Sequence, residues 1–249
     1  MALAGHPGAG KTTLFEALLH AGGAIQAAGT VERGTTVSDF DPLERARGHS
    51  IDAAIAGFGH RAADGTRIHL NLLDTPGYPD FRGAALSALS AVDTVAVVVD
   101  AEAGIGHGTR RIMEHAAGRG LCRAIVVNRI DAERADCARL FDELRAGFGP
   151  EVLPVNLPAE GGTRVVDCFA GDAGDSDLGP VADWHRRILD QVVEVEESVM
   201  EHYLDGGEGA LGRRELHDAF ERCLREGHLV PVCFVSARSG TGLREFLDA

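Results

Sequence analysis

The chain has 249 residues, 45% of them hydrophobic, so it is long enough to bury a sizeable core. Its formal net charge of −14 at pH 7 argues against general affinity for nucleic acid, because proteins that bind phosphate backbones normally display clustered Lys and Arg. The longest apolar run, around Val95–Val99, is too short to span a bilayer, and the five cysteines include no C-x-x-C pair. These features predict a folded cytoplasmic protein with reduced thiols and no membrane partner.

A short predicted strand, Ala2–Ala4, leads into a glycine-rich loop that fits the phosphate-binding pattern G-x-x-x-x-G-K-[ST]. The loop consists of Gly5, His6, Pro7, Gly8, Ala9, Gly10, Lys11 and Thr12, with Thr13 directly after it. The glycines allow backbone N–H groups to turn toward a common centre, where they meet the positive end of a helix predicted over Lys11–Ala21. We expect Lys11 to reach the outer phosphates of a nucleotide and the Thr12 hydroxyl to bind Mg²⁺. A merely flexible glycine turn is the alternative.

Residues 27–50 show no sustained period of either kind. A connection of this length inside a compact domain is usually functional or disordered. Because it follows the phosphate-loop helix, we expect a loop that senses the nucleotide. Two strands predicted over Ile51–His60 and Arg67–Leu73 come next, and the dipeptide Asp64-Gly65 between them predicts a hairpin turn and antiparallel pairing.

A second candidate nucleotide contact follows the strand Arg67–Leu73. It consists of Asp74, Thr75, Pro76 and Gly77, with Tyr78 directly after it. Alone this tetrapeptide is a plausible turn. After a phosphate loop, Asp74 is placed to bind the Mg²⁺ shell, and the Gly77 N–H to meet a γ-phosphate.

Short apolar strands then alternate with helical patterns, which is the order typical of a mostly parallel sheet with helices on both faces. Further strands are predicted over Thr94–Asp100, Arg123–Asn128 and Val230–Val235, and further helices over Asp80–Ala91, Thr109–Gly118 and Glu133–Ala146. We therefore predict an α/β fold of the P-loop type.

The third motif, Asn128-Arg129-Ile130-Asp131, ends the strand Arg123–Asn128. A carboxylate at its fourth position can accept two hydrogen bonds from guanine, whereas adenine offers no matching pair of donors. The dipeptide Ser236-Ala237 follows the last predicted strand and is a weaker candidate for reading the guanine carbonyl. Asp131 as the N-cap of the helix from Glu133 onward is an alternative that does not exclude base reading.

The segment after Pro154 changes character. A glycine-rich stretch and a short strand over Thr163–Ala170 precede one long helix predicted from Val181 to about Leu204, and another helix over Arg213–Glu226. We predict an inserted α+β lobe over residues 155–227, within a GTPase domain formed by residues 1–154 and 228–249. Only Met1–Ala4 precede the loop and Ala249 falls early in an expected helix, so we also expect a fragment or a misassigned start.

In this order and separation, the motifs resemble those of the GTP-binding domain of translation elongation factor G, and most of all its elongation factor G-like paralogues. The resemblance covers essentially the full length and includes Gly29–Thr36 with Asp39, Arg47–Ile51, and Val193–Met200 in the predicted lobe. It implies a monomeric GTPase that binds Mg²⁺ and hydrolyses GTP to GDP and phosphate in a ribosome-coupled step. The ribosome, through its RNA and proteins, would be the partner, and Lys11, Gly77 and Tyr78 the catalytic positions.

Three positions depart from the family pattern. Ser50 stands where the family has a Thr that closes on Mg²⁺ and the γ-phosphate, so the hydroxyl is retained without the stiffening methyl. Tyr78 stands where the family has the His that orients the attacking water, and Arg129 replaces a Lys whose stem packs over the base. We expect slower or differently triggered hydrolysis, with packing of the Tyr78 ring beside Phe81 as the alternative role.

Two other functions fit the same motifs. One is a GTP-gated binding module that changes shape at residues 28–52 and 74–82 but hardly hydrolyses GTP. The other is a P-loop protein that uses ATP. In the family, the ribosomal step depends on later domains.

Overall fold

Seven strands form one sheet in a computed structural model that describes residues 1–62 and 65–248. The strands, including four short ones outside this sheet, are β1 (Ala2–Ala4), β2 (Ala54–Arg61), β3 (Arg67–Asp74), β4 (Thr94–Asp100), β5 (Cys122–Asn128), β6 (Val152–Pro154), β7 (Asn156–Ala159), β8 (Arg164–Asp167), β9 (Asp175–Ser176), β10 (Gly179–Pro180) and β11 (Val230–Val235). The order in the sheet is β2-β3-β1-β4-β5-β11-β6. Only β2 pairs antiparallel among these seven, so the predicted mostly parallel sheet is confirmed.

Helices cover both faces of the sheet. They are α1 (Lys11–Ala21), α2 (Pro42–Arg47), α3 (Arg82–Leu89), α4 (His107–Gly118), α5 (Cys137–Phe148), α6 (Val181–Val193), α7 (Glu197–Gly206), α8 (Arg213–Glu226) and α9 (Leu243–Asp248), with short 3-10 turns at Val31–Arg33, Pro79–Phe81 and Glu208–Ala210. Alternate residues of the central strands point to opposite faces. Val97 and Val99 pack in the cluster that holds Met113 and Phe141, whereas Val98 packs in the cluster that holds Phe15.

The parallel pairing brings the carboxyl ends of several strands to one edge of the sheet. Leu3 of β1 lies opposite Asp74 of β3, and Asp100 of β4 lies opposite Asn128 of β5. Asn128 also lies opposite Val235 of β11. The phosphate loop, the Asp74 motif and both candidate base motifs therefore begin at neighbouring points of this edge, which is where open α/β sheets bind their ligands.

The strand β2 runs antiparallel to β3 over eight residue pairs, as predicted. Of the predicted turn, Asp64 lies outside the described residues. The strand begins at Ala54 rather than Ile51 because the N–H groups of Ile51 and Asp52 donate to the Glu44 carboxylate, at 2.8 and 3.2 Å, instead of to the sheet.

The single helix predicted from Val181 to about Leu204 is wrong, because α6 ends at Val193 and α7 begins at Glu197. Glu196 is extended, with φ of −139°, and its carboxylate pairs with Arg222 of α8 at 2.9 Å. The valine-rich sequence before the break contributes little intrinsic helix propensity, since β-branched side chains lose rotamer freedom in a helix. Both helices bury apolar side chains, which is why the pattern continues across the break.

The region predicted without periodicity contains the short helix α2. Its sequence signal is a capping box: the Asp41 side chain accepts from Leu43 N at 2.6 Å, and the Glu44 side chain accepts from Asp41 N at 3.3 Å. Pro42 at the first helical position adds to that signal.

Residues 155–227 leave the main sheet after β6, and the chain returns to it at β11. Asn156 at the start of this segment is buried and pairs with the backbone of Phe234 through both amide atoms, at 3.0 and 2.7 Å. The division of the chain into a GTPase domain and an inserted lobe stays a prediction. Within residues 1–62 and 65–248, no helix combines the length and the apolar character needed to cross a membrane.

Candidate nucleotide-binding site

The phosphate loop lies between β1 and α1, with Lys11 as the first residue of the helix. The Lys11 side chain is buried and its Nζ donates to the carbonyls of Gly5 and His6, at 3.2 and 3.0 Å. Burial lowers the pKa of Lys11, and the nearby Asp74 carboxylate opposes that shift. The first turn of α1 holds no acidic side chain, so the positive end of the helix is available to an anion.

Three side-chain oxygens, from residues predicted to bind the metal, lie close together beside this loop. Thr12 Oγ1 donates to Asp74 Oδ2 at 2.6 Å and lies 3.3 Å from Ser50 Oγ. Ser50 in turn donates to Asp39 Oδ1 at 2.8 Å, and Thr36 donates to the other oxygen of the same carboxylate at 3.0 Å. The structure thus brings together Thr12, Ser50 and Asp74, which lie far apart in the sequence.

The Asp74 carboxyl fits a divalent cation or its bound water. It is fully buried at the end of β3, and its Oδ1 makes no hydrogen bond of ordinary geometry among the described residues, although the nearby Ser38 hydroxyl favours the ionised form. Burial raises the pKa of Asp74 to about 6, although the Thr12 hydroxyl and Lys11 both favour the ionised form. Mg²⁺ prefers hard oxygen ligands of this kind, so a bound cation would supply the positive charge that stabilises the ionised carboxylate.

Gly77 and Tyr78 lie against the phosphate loop from the other side. A Cβ at Gly77 would come within 2.4 Å of Lys11 Nζ and 3.0 Å of Pro7 N, so a side chain there would displace the Lys11 ammonium and press on the phosphate loop. The Tyr78 ring packs on His49, with ring centroids 4.4 Å apart. The Tyr78 ring therefore packs on an aromatic neighbour, but that neighbour is His49 and not the predicted Phe81. Phe81 lies near the same imidazole, with ring centroids 6.0 Å apart.

Asn128 joins the candidate base site to the phosphate loop. Its Nδ2 donates to Ala9 O at 3.1 Å, and its Oδ1 accepts from Arg129 N and Ala237 N at 2.9 and 3.0 Å. Gly10 is required beside it, because a Cβ there would lie 2.4 Å from Asn128 Nδ2. The buried amide of Asn128 therefore joins the phosphate loop, its own motif Asn128–Asp131 and the dipeptide Ser236-Ala237.

Arg129 and Asp131 have different surroundings. Arg129 has a φ of 63°, in the left-handed region, and its guanidinium pairs with the buried Asp100 carboxylate at the end of β4. Asp131 is exposed and does not cap a helix, since α5 begins at Cys137 and its N-cap is Asp136, which accepts from Arg139 N at 3.0 Å. The alternative role of Asp131 as an N-cap is thus wrong.

A cavity of about 190 Å³ opens over the phosphate loop. Its lining consists of Pro7, Gly8, Gly10, Lys11, Thr12, Thr13, Val31, Glu32, Asp39, Gly48, His49, Ser50, Thr75, Gly77, Tyr78 and Arg129. Of the other predicted contacts, Gly5, His6, Ala9, Asp74, Pro76, Asn128, Ile130, Asp131, Ser236 and Ala237 lie outside that lining. The roles of all these residues toward a nucleotide stay predictions.

Two buried glutamates hold the 28–52 loop, and the sequence analysis did not identify them. Glu16 of α1 accepts from Gly29 N and Val37 N, at 2.8 and 2.5 Å. Glu44 of α2 accepts from the backbone of Ile51 and Asp52. The capping box was a usable signal for Glu44, whereas nothing in the sequence around Glu16 distinguishes it from an exposed helical glutamate.

Residues 1–249 match the family described as the elongation factor Tu GTP binding domain. The chain belongs to that family. The predicted resemblance is confirmed, and membership makes this chain a domain of the translational GTPase class.

Individual members of this family are similar to the chain over almost its full length. The elongation factor G-like protein of Mycobacterium tuberculosis is 32% identical over 259 residues, which cover 99% of this chain and 35% of that protein. Peptide chain release factor 3 of Gloeobacter violaceus is 34% identical over 268 residues, covering 100% of this chain and 48% of that protein. A solved structure from Thermus thermophilus has a TM-score of 0.86 and 36% identity, covering 99% of this chain and 38% of that one. The chain thus spans about a third to a half of these relatives.

Proposed function

We propose that this domain binds GTP with Mg²⁺ and hydrolyses it to GDP and phosphate in a step coupled to the ribosome. The observation that carries the proposal is the meeting of Thr12, Ser50 and Asp74 beside the buried Lys11. A cation site next to an ammonium group and a helix N-terminus suits the charged end of a nucleoside triphosphate.

In this proposal each residue acts through position and charge. Lys11 and the N–H groups of the loop offset negative charge on the phosphoryl oxygens, and the Gly77 N–H meets the γ-phosphate. Thr12 and Ser50 hold Mg²⁺ directly, while Asp74 holds it or its water. When bound, the cation adds further positive charge at the phosphates.

Guanine selection would depend on the other half of the site. Asn128 fixes the loop after β5 to Ala9 and Ala237, and the exposed Asp131 carboxylate is available to two N–H donors of guanine. Ribosome coupling is supported by the family and by relatives named as a release factor and as elongation factor G-like. We further propose that the protein acts in the cytoplasm as a monomer.

A GTP-gated binding module is the second candidate function. Tyr78 favours it, because a phenol is neither cationic nor an effective base near pH 7. A multiple-turnover assay of phosphate release, with and without ribosomes, distinguishes the two. We expect release that ribosomes stimulate, whereas tight GTP binding without stimulated release would favour the module.

Base reading by Asp131 has its own test. We expect Asp131→Asn to lower the affinity for GTP by about 10-fold or more and to raise that for XTP, because the amide matches a base that carries a second carbonyl. A competition titration of GTP, ATP and XTP against labelled GDP measures this, with the exposed Asp142→Asn of α5 as the control. An unaltered preference would contradict base reading by Asp131 and would leave ATP use open.

A further inference from the structure

His49 lines the cavity over the phosphate loop, together with Lys11, Ser50 and Gly77. Among the residues that line this cavity, it is the one histidine. We propose that the His49 imidazole positions the attacking water of GTP hydrolysis and that the Tyr78 ring holds this imidazole in place. The proposal rests on the hydrolysis proposed above.

The backbone places His49 next to the candidate metal site. It is followed by Ser50, whose hydroxyl is fixed by Asp39 at 2.8 Å and lies 3.3 Å from Thr12 Oγ1. Gly48 before it has a φ of 66° and caps α2 by donating to Glu44 O at 2.8 Å. His49 is therefore held from both sides rather than carried on a free loop.

The ring of His49 is also held. It packs on Tyr78 with centroids 4.4 Å apart and planes inclined by 42°, and Phe81 adds a second contact at 6.0 Å. Its Nδ1 is buried without a hydrogen-bond partner among the described residues, so Nε2, which is not buried, is the nitrogen that would face the water. A neutral imidazole has one donor and one acceptor nitrogen, so His49 has hydrogen-bonding capacity that the described contacts leave unused.

That capacity suits the reaction. The water oxygen forms a bond to the γ-phosphorus, and the bond from phosphorus to the bridging oxygen breaks, with its electron pair leaving on GDP. The proton of the water ends on the released phosphate. An imidazole that accepts a hydrogen bond from this water fixes its direction of attack, and His49 gains no proton overall.

His49 differs in this respect from His6, the histidine within the phosphate loop. The Nδ1 of His6 lies 2.6 Å from Pro7 O, and His6 lines a neighbouring cavity of about 590 Å³ bordered by α3 and α4 rather than the cavity over the phosphate loop. Tyr78 packs on His49 through its ring. We therefore infer that His49, and not His6 or Tyr78, orients the attacking water, and that Tyr78 is a positioning residue.

The experiment measures single-turnover cleavage of GTP with the chain in excess over the nucleotide. We expect His49→Ala to slow cleavage by at least about 10-fold, while the affinity for GDP changes by less than about 2-fold. Tyr78→Phe keeps the ring and should retain most of the rate. Adding Tyr78→His to the His49→Ala chain should restore part of it, because that imidazole starts from the neighbouring ring position. His217→Ala, on the exposed side of α8, is the matched control.

A second readout does not depend on turnover. GDP with aluminium fluoride mimics the transferring phosphoryl group, so His49→Ala should weaken binding of that complex and leave GDP binding unchanged. An equal loss for both ligands, a His49→Ala chain as fast as the unmodified one, or a Tyr78→Phe chain as slow as His49→Ala would each overturn the inference. An unmodified chain that binds GTP but does not cleave it, even with ribosomes present, would overturn the proposed hydrolysis as well.

Discussion

The Asp74 carboxyl, proposed above to hold Mg²⁺ or its water, carries a cost in stability. It is fully buried, and burial raises its pKa to about 6 even though the hydroxyls of Thr12 and Ser38 favour its ionised form. A carboxyl whose pKa is higher in the folded state destabilises the fold when ionised. This destabilisation is fully present above the folded pKa and disappears as the pH falls toward the unfolded value near 4.

We therefore expect Asp74→Asn to stabilise the nucleotide-free chain by about 1–3 kcal/mol at pH 7.5 and by much less at pH 4. The same change should weaken Mg²⁺-dependent GTP binding by about 10- to 100-fold, since it removes the charge that faces the cation. Urea denaturation at the two pH values and a titration with GTP measure both effects. Asp142→Asn on the exposed face of α5 is the control, and a loss of stability at pH 7.5 would refute the expectation.

Buried carboxylates hold the 28–52 loop in place by accepting hydrogen bonds from its backbone N–H groups. Glu16 reaches this loop from α1, so the helix that begins at Lys11 also anchors the segment expected to sense the nucleotide. Gly29 and Val37 are joined to one side chain in this way. The position of the loop should then depend on Glu16.

Glu16→Gln tests this dependence. The amide retains one acceptor oxygen and places a donor against a second backbone N–H, so we expect the free energy of unfolding to fall by about 1–3 kcal/mol. Trypsin should also cleave faster at Arg33, which lies in the 3-10 turn between the two anchored positions. Glu143→Gln, an exposed site on α5, is the matched control. Unchanged stability and cleavage would mean that other contacts hold the loop.

The elements differ in how far the sequence could predict them. Central strands such as β4 and β11 were predicted with their observed bounds, because a short apolar run buried on both faces has few other solutions. The break between α6 and α7 was not predictable from periodicity, since the apolar pattern continues across it and Glu196 is extended beside Arg222 of another helix. The motif residues could be predicted from the sequence because each motif is a short contiguous pattern. Glu16 and the contact between His49 and Tyr78 required the tertiary structure, because their partners are distant in the sequence.

For the whole molecule, Trp184 joins the 155–227 segment to the main sheet. It is the single tryptophan of the chain and lies on α6, with its ring edge-on to Phe141 of α5, centroids 5.2 Å apart. Trp184 packs against both the cluster beneath α5 and the cluster among α6, α7 and α8. Because the two parts share this core, we expect them to unfold as a single cooperative unit.

We expect urea denaturation followed by Trp184 fluorescence and by far-ultraviolet circular dichroism to give the same midpoint. Phe141→Leu should lower both midpoints together, corresponding to about 1–2 kcal/mol, because it leaves the edge contact poorly filled. Two separate midpoints would show instead that the 155–227 segment unfolds on its own.

The amide of Asn128 has a further consequence during synthesis of the chain. The ribosome makes the phosphate loop and β5 early, but Ala237 and the strand β11, which lies between β5 and β6, come only after residues 155–227. The last strand must insert beside a neighbour made long before it, a contact of high sequence separation that is slow to form. The loop proposed to bind phosphate can thus form before the site proposed for guanine is complete, and the full site requires a completed sheet.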